Sequence, residues 1–134
     1  LWIPLPGTAW TDTIEVVPEL PHYAGRLMLR IPNTGIDVHP LYLGGNTFGW
    51  SSDRDESFAV LDAYVGRGGN FIDTADVYSE WAPGHVGGES ETIIGEWMRS
   101  RGNRERLVIA TKVAKLSTRR GLSRNNIHAA LDDS

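Results

Sequence analysis

The stretch NFIDTADVYSEWAPGHVGGESE, residues 70–91, begins as an apolar strand and ends where a helical pattern starts. Its apolar run stops at Asp73, and Tyr78 follows five residues later in a loop that ends in Gly87 and Gly88. A buried strand that ends in a carboxylate and continues into a long glycine-rich loop is typical of parallel α/β proteins, which bind ligands at the carboxyl ends of their strands.

The segments around this stretch alternate between strand and helix patterns. LYL (41–43) and LVIATKV (107–113) are short apolar runs, and each is separated from residues 70–73 by a helical pattern. Strands that alternate with helices and lack polar alternation are typical of parallel βαβ units covered on both faces. The sequence therefore predicts three parallel strands, and upstream of them LMLRI (27–31) and IDVHP (36–40) predict a hairpin with Gly35 in its turn at positive φ.

The predicted helices carry capping signals. Asp53 with Glu56 three residues later forms a capping-box pattern for the first helix. Ser90 is the predicted N-cap of the second helix, which Gly102 ends, and Ser123 is the predicted cap of the third. These caps set the helices between the strands, as βαβ units require.

Composition limits the function classes. The chain has 134 residues, a net charge of −4 and no cysteine, which excludes disulfides and thiolate chemistry and gives no support to nucleic acid or a membrane as a partner. We expect a cytoplasmic protein without a metal site, since the four histidines lack ligand spacing. Residues 1–26, with four prolines and no amphipathic period, predict an irregular extension that contains Trp2 and Trp10, followed by a domain over 27–134.

Several chemical groups follow the predicted strands at one edge of the sheet. Gly45 and Asn46 follow the first strand, Asp73 ends the second, and Lys112 lies at the end of the third, while Tyr78 lies in the loop after Asp73. Asp73 and Lys112 could form a purely structural ion pair. Together with a phenol, however, they are the parts of a proton donor.

The physical reason lies in the weak acidity of phenols, whose ordinary pKa is near 10. An ammonium about 4 Å from the phenol oxygen favours the phenolate by about 4 kcal/mol at an effective dielectric near 20. A neighbouring carboxylate keeps that ammonium charged. This combination predicts a general acid at the strand ends.

Other folds and chemistries fit less well. A Rossmann domain would need G-x-G-x-x-G opening a helix, and here the glycines after the first strand have other spacing. A Schiff-base aldolase could use Lys112, but Asp73 would keep its amine protonated. A non-catalytic binding module of the same fold stays open as the alternative.

The motifs NFIDTADVYS, GGESETIIGEWM and LVIATKV resemble the N-terminal motifs of the aldo-keto reductase superfamily, from about Arg30 to the last residue. The resemblance implies an incomplete α/β (β/α)8 TIM barrel, reduction of aldehydes or ketones with NADPH (NADH possible), and a tetrad of Asp, Tyr, Lys and His. It assigns catalytic roles to Asp73, Tyr78 and Lys112. It also assigns Gly45, Asn46 and Asp73 to the cofactor, and Trp81 with Tyr78 to a carbonyl substrate. Many members have Thr where Gly45 stands.

The resemblance covers only part of such a barrel. The family's tetrad histidine follows the fourth strand, and none of the four histidines matches that position (His22, His39, His85 and His128). Since a (β/α)8 barrel needs about 250 residues, the chain matches roughly three of its eight units, and we expect a truncated chain without catalysis of its own. Its open sheet edges predict self-association.

Overall fold

A computed structural model describes residues 28–134. The predicted extension over residues 1–26, with Trp2 and Trp10, lies outside the described residues. The first described element is an antiparallel hairpin of β1 (Leu29–Arg30) and β2 (Asp37–Val38), which confirms the predicted hairpin. Asn33 has the left-handed conformation in its turn, with φ of 60°, so the prediction for Gly35 is wrong. Asparagine tolerates this region because its short polar side chain can hydrogen-bond locally.

The central sheet has three parallel strands in the order β3–β4–β5. They are β3 (Leu43–Gly44), β4 (Phe71–Asp73) and β5 (Val108–Ala110). The predicted parallel pairing is confirmed, although each strand is shorter than its apolar run. The predicted strand at 41–43 starts only at Leu43, because Leu41 and Tyr42 are exposed and precede the ladder.

Three helices accompany the strands: α1 (Arg54–Gly66), α2 (Glu89–Arg101) and α3 (Arg124–Asp133). The capping box of Asp53 and Glu56 is present, and Ser123 caps α3 through the backbone N–H of Asn126. Ser90 does not cap α2. Gly88 is the N-cap, in a left-handed conformation, and Ser90 lies buried within the first turn. A short 3-10 helix, Arg104–Arg106, precedes β5.

The core lies between α1, α2 and the sheet. Its buried side chains come from these elements, from the loop after β3 and from the residue before β5: Phe48, Phe58, Leu61, Ile72, Ile94, Trp97 and Leu107. Across the helix pair, the indole N–H of Trp97 donates to Asp62 at 2.8 Å. The apolar sides of α1 and α2 therefore pack against the sheet. Among the described residues, no helix is long and apolar enough to cross a membrane.

The hairpin is fastened to the amino ends of the strands. Asn70, which precedes β4, accepts the backbone N–H of His39 at 2.7 Å and donates to the carbonyl of Asp37 at 3.0 Å. The hydroxyl of Tyr64 lies 2.7 Å from the carbonyl oxygen of Leu41 and 2.9 Å from that of Phe71. These contacts join the hairpin and the strands at the amino end of the sheet. In the described part of the chain, the carboxyl end is covered only by the loops that follow the strands.

Candidate active site

The carboxyl ends of the three strands form one rim. Gly44, Asp73 and Ala110 are aligned across the sheet, and the backbone pairing continues beyond them. The N–H of Gly45 donates to the carbonyl of Asp73 at 2.8 Å, and the N–H of Asp76 donates to that of Lys112 at 3.0 Å. The sheet therefore places the predicted site residues side by side, with their backbones fixed.

Asp73, Tyr78 and Lys112 converge at this rim. Nζ of Lys112 donates to both carboxylate oxygens of Asp73, at 2.8 and 2.7 Å, and to the carbonyl of Thr74 at 2.8 Å. The hydroxyl of Tyr78 donates to Oδ2 of Asp73 at 3.2 Å, and Nζ lies 4.7 Å from the centre of the tyrosine ring. Lys112 thus contacts the carboxylate and lies close to the tyrosine ring, and the carboxylate in addition accepts the hydroxyl of Tyr78 directly.

The electrostatics of this cluster favour a charged lysine. Burial lowers the pKa of Lys112, but its hydrogen bonds to Asp73, the neighbouring Tyr78 and the charge of Asp73 outweigh burial and raise that pKa above its ordinary value of 10.5. The side chain of Lys112 is 50% exposed and that of Asp73 is 26% exposed. A reactant that approaches from the solvent side of the rim can therefore reach the group.

Gly45 and Ser90 hold the backbone of the rim in place on its buried side. A Cβ on Gly45 would lie 2.9 Å from Oγ of Ser90 and 3.2 Å from the carbonyl oxygen of Asp73, so only glycine fits without a shift. The Ser90 hydroxyl donates to the carbonyl of Gly45 at 2.8 Å and lies 2.9 Å from Oγ1 of Thr74. Gly45 is thus buried and positions backbone, whereas its neighbour Asn46 is exposed.

Aromatic side chains border the cluster on one side. Trp81 packs edge-on to Tyr78, with ring centres 6.1 Å apart, and edge-on to Trp50 at 5.6 Å. Both tryptophans are about half exposed, at 54% for Trp50 and 49% for Trp81. The sequence pointed to Trp81 but not to Trp50, although a tryptophan in the loop after the first strand was a usable signal.

The described histidines make no ring contact or hydrogen bond with Asp73, Tyr78 or Lys112. His39 packs edge-on to Tyr64, with ring centres 6.0 Å apart, at the amino end of the sheet, and His128 is exposed on α3. His85 belongs to the same loop as Tyr78, and its Nδ1 is buried without a hydrogen-bond partner. Within residues 28–134, no three His, Asp or Glu side chains are grouped so that they could hold a metal ion.

The model of the aldo/keto reductase family matches residues 40–134. The chain belongs to this family. An 11.2 kDa protein of Pseudescherichia vulneris is 57% identical over 81 residues, which are 60% of this chain and 79% of that protein. The aryl-alcohol dehydrogenase [NADP(+)] of Phanerodontia chrysosporium is 42% identical over 114 residues, which are 79% of this chain and 28% of the enzyme.

Solved structures agree with the family. The crystal structure of PA4992, a Pseudomonas aeruginosa protein assigned to the aldo-keto reductases, matches with a TM-score of 0.59 and 28% identity, over 80% of this chain and 42% of that one. The described fold is accordingly an incomplete (β/α)8 barrel with an open sheet. The chain spans about a quarter of the length of the aryl-alcohol dehydrogenase that it matches.

Proposed function

We propose that the whole protein reduces the carbonyl group of an aldehyde or ketone to an alcohol, with NADPH as the cofactor and NADH as a possible substitute. The observation that carries this proposal is the contact of one carboxylate, Asp73, with both the ammonium of Lys112 and the hydroxyl of Tyr78. We interpret this arrangement as the tuned proton donor that the sequence predicts, and it lies at the carboxyl ends of the strands, where barrel enzymes keep their active sites.

The residues at the rim fit a nicotinamide cofactor. Asn46 offers an exposed amide with both a donor and an acceptor, and the buried Gly45, packed against Ser90, fixes the backbone that leads to it. Asp73 keeps a quarter of its side chain open to solvent. We assign these three residues to cofactor binding. When bound, the cofactor supplies the hydride that the carbonyl carbon receives.

The protein's own residues supply the proton. We assign Tyr78 as the general acid, whose hydroxyl gives its proton to the carbonyl oxygen and is left as a phenolate. Lys112 lies 4.7 Å from that ring, so its positive charge stabilises the phenolate. Asp73 in turn keeps Lys112 protonated, as the raised pKa of the lysine indicates. All three therefore contribute to one proton transfer.

The aromatic border supports a substrate class. Tyr78, Trp81 and Trp50 offer ring edges and faces to one side of the cluster, and aromatic pairs favour edge-to-face contacts with another ring. We propose that this border binds an aromatic or other planar apolar aldehyde. The name of the relative from Phanerodontia chrysosporium, an aryl-alcohol dehydrogenase, agrees with this class.

A non-catalytic binding module is the second candidate, for the 134-residue chain by itself. The relative of 11.2 kDa, of which this chain covers 79%, is a similarly short polypeptide, and the three-stranded sheet of the described residues is open. Open strand edges favour self-association, which we propose for the isolated chain. We also propose a cytoplasmic location, in keeping with the cysteine-free composition.

A hybrid enzyme tests the proposed function. Residues 40–134 would replace the matching stretch of the Phanerodontia chrysosporium enzyme, and NADPH oxidation would be followed with benzaldehyde and, for comparison, hexanal. We expect reduction of benzaldehyde, and a fall of about 10² to 10⁴ in rate for Tyr78→Phe because a general acid contributes that much. The affinity for NADPH should stay within about two-fold, because the ring remains and only its hydroxyl is removed. Full activity of the Tyr78→Phe hybrid would refute the assigned proton donor.

The 134-residue chain itself separates the two candidates. Titration with NADPH, followed by the fluorescence of its five tryptophans, should show no saturable quenching at micromolar concentration. Saturable binding accompanied by carbonyl-dependent oxidation of NADPH would reject the module without catalysis and favour an enzyme that needs no further residues, whereas binding without turnover would favour the module.

A further inference from the structure

The two residues that follow Tyr78 tie its loop to both neighbouring loops of the rim. The loop runs from Thr74 to Gly88 and is called the Tyr78 loop below. The Ser79 hydroxyl donates to the carbonyl of Phe48, between β3 and α1, at 2.8 Å. The Glu80 carboxylate accepts the backbone N–H of Ser117, between β5 and α3, at 2.8 Å.

The backbone is strained at one position in the Tyr78 loop and at one position in the segment after Lys112. Ser79 has φ of 72° and Ala114 has φ of 93°, a left-handed region in which side chains other than glycine are uncommon. Ser79 comes directly after Tyr78, and Ala114 comes two residues after Lys112. Such conformations persist only where the surrounding contacts hold them, so both reactive side chains depend on the loops around them.

The segment after Lys112 rests on the Tyr78 loop. Its ends are closed by the N–H of Gly121, which donates to the carbonyl of Ala114 at 3.0 Å. Leu116 lies so close to Gly87 that a Cβ there would overlap it. The hydrogen bonds from Ser117 lower the pKa of Glu80, which agrees with an ionised carboxylate as the acceptor. Glu80 is the charged side chain of the Tyr78 loop that hydrogen-bonds to the backbone of this segment, while Asp76 faces the segment through the charge of Arg119.

We propose that Glu80 is a positioning residue, whose bond to the N–H of Ser117 holds the segment after Lys112 against the Tyr78 loop and so keeps the ammonium on Asp73 and over the ring of Tyr78. The role rests on the proposed function, in which that ammonium stabilises the phenolate. Glu80 itself touches neither reactant. Its effect passes through the backbone between Ser117 and Lys112.

Lysine NMR of the 134-residue chain measures this effect without any reaction. The chain has only two lysines, Lys112 and Lys115, so lysine-selective labelling gives two signals that can be titrated. We expect Glu80→Ala to lower the pKa of Lys112 by about 0.3 or more, a two-fold loss of proton affinity. Glu80→Gln keeps an acceptor oxygen and should restore at least half of the loss, while Glu105→Ala, at the opposite end of the sheet, should change nothing.

Exchange of the Ser117 amide hydrogen gives the second readout. It should accelerate about ten-fold in Glu80→Ala and much less in Glu80→Gln, since the amide loses its acceptor only in the first. Faster exchange with an unchanged pKa of Lys112 would show a purely structural contact and overturn the proposal. A Glu80→Gln variant that titrates like Glu80→Ala would assign the effect to charge, and would overturn it as well.

The hybrid enzyme adds a kinetic readout. Glu80→Ala should lower kcat for benzaldehyde about ten-fold and leave KM within about two-fold. A small displacement of Lys112 and Tyr78 slows the proton transfer, whereas the contacts that bind the substrate remain. An unchanged kcat would contradict the positioning role. If the hybrid with intact Glu80 is inactive, the proposed function fails, while the lysine titration still decides the role of Glu80.

Discussion

The two ends of the parallel sheet differ in how their polar groups and backbone are arranged. At the amino end, the hydroxyl of Tyr64 and the amide of Asn70 join the hairpin and the strands through short hydrogen bonds. At the carboxyl end, Ser79 and Ala114 adopt left-handed conformations, and the buried carboxylate of Asp76 has no hydrogen-bond partner.

The charged groups at the carboxyl end add to this difference between the two ends. Burial raises the pKa of Asp76, and the charge of Arg119 only partly opposes this. The amino end has fewer such groups: the buried Oδ1 of Asn103, which precedes β5, lacks a hydrogen-bond partner, and Asn33 is left-handed in an exposed hairpin turn. Strain and unmatched polar groups are more frequent near the carboxyl end, which supports the proposal that the carboxyl end serves function while the amino end serves stability. Stability measurements on matched variants at the two ends test this division.

The largest effect should come from the amino end, with Gly69→Ala. A Cβ on Gly69 would overlap the ring of Tyr64, and pushing that ring away also breaks the hydroxyl contacts to Leu41 and Phe71. We expect a loss of about 3 kcal/mol in the free energy of unfolding, the upper part of the range for overpacking, measured by urea denaturation.

Gly66→Ala is the matched control. Gly66 ends α1 and has open space around its Cα, so the same substitution should be neutral or stabilise the protein by about 0.5 kcal/mol. Equal losses in both variants would show that the tight contact with Tyr64 carries no special weight at the amino end.

At the carboxyl end, Ala114→Gly should stabilise the protein. Ala114 has φ of 93°, and glycine adopts this region without the cost that a Cβ imposes, about 1 to 2 kcal/mol. After the larger entropy loss of glycine on folding, we expect a net gain of about 0.5 kcal/mol, read from the same urea curves.

Ala129→Gly is the matched control and should lower the free energy of unfolding. Ala129 is exposed within α3, where glycine costs about 1 kcal/mol relative to alanine. Destabilisation by Ala114→Gly of the same size as by Ala129→Gly would remove the case for strain at the carboxyl end.

Much of this division could be predicted from the sequence. The apolar runs and the capping box at Asp53 predict the parallel strands and α1, because periodicity and caps are local properties. The strand ends predict that Asp73 and Lys112 meet. The direct bond from Tyr78 to Asp73 and the strain at Ser79 and Ala114 could not be predicted, because they depend on how separate loops pack.

Ser90 shows the same limit. A serine before an apolar helical pattern is a good N-cap signal, yet Gly88 caps the helix and Ser90 is buried beneath Gly45. The start of α2 depends on the contact of Ser90 with Gly45, at the end of another strand. A local sequence pattern contains no information about such a contact. The roles of Trp50 and Glu80 likewise become visible only when three loops are seen together.

The smallest expected effect is the pH dependence that Lys112 gives to the carboxyl end. The folded pKa of Lys112 is raised above its unfolded value of 10.5, so its stabilising contribution is complete below pH 10.5 and is lost as the pH rises through the folded value. Because the side chain is 50% exposed, we expect a contribution of only about 0.3 kcal/mol. The difference in unfolding free energy between the wild type and Lys112→Met should stay constant from about pH 8 to pH 10 and shrink above that range. Lys115→Met is the matched control and should give a smaller difference throughout, since the structure gives Lys112 the carboxylate of Asp73 as its partner. A difference for Lys112→Met that grows with pH would have the wrong sign for a stabilised ammonium, and would contradict the electrostatic description of the site.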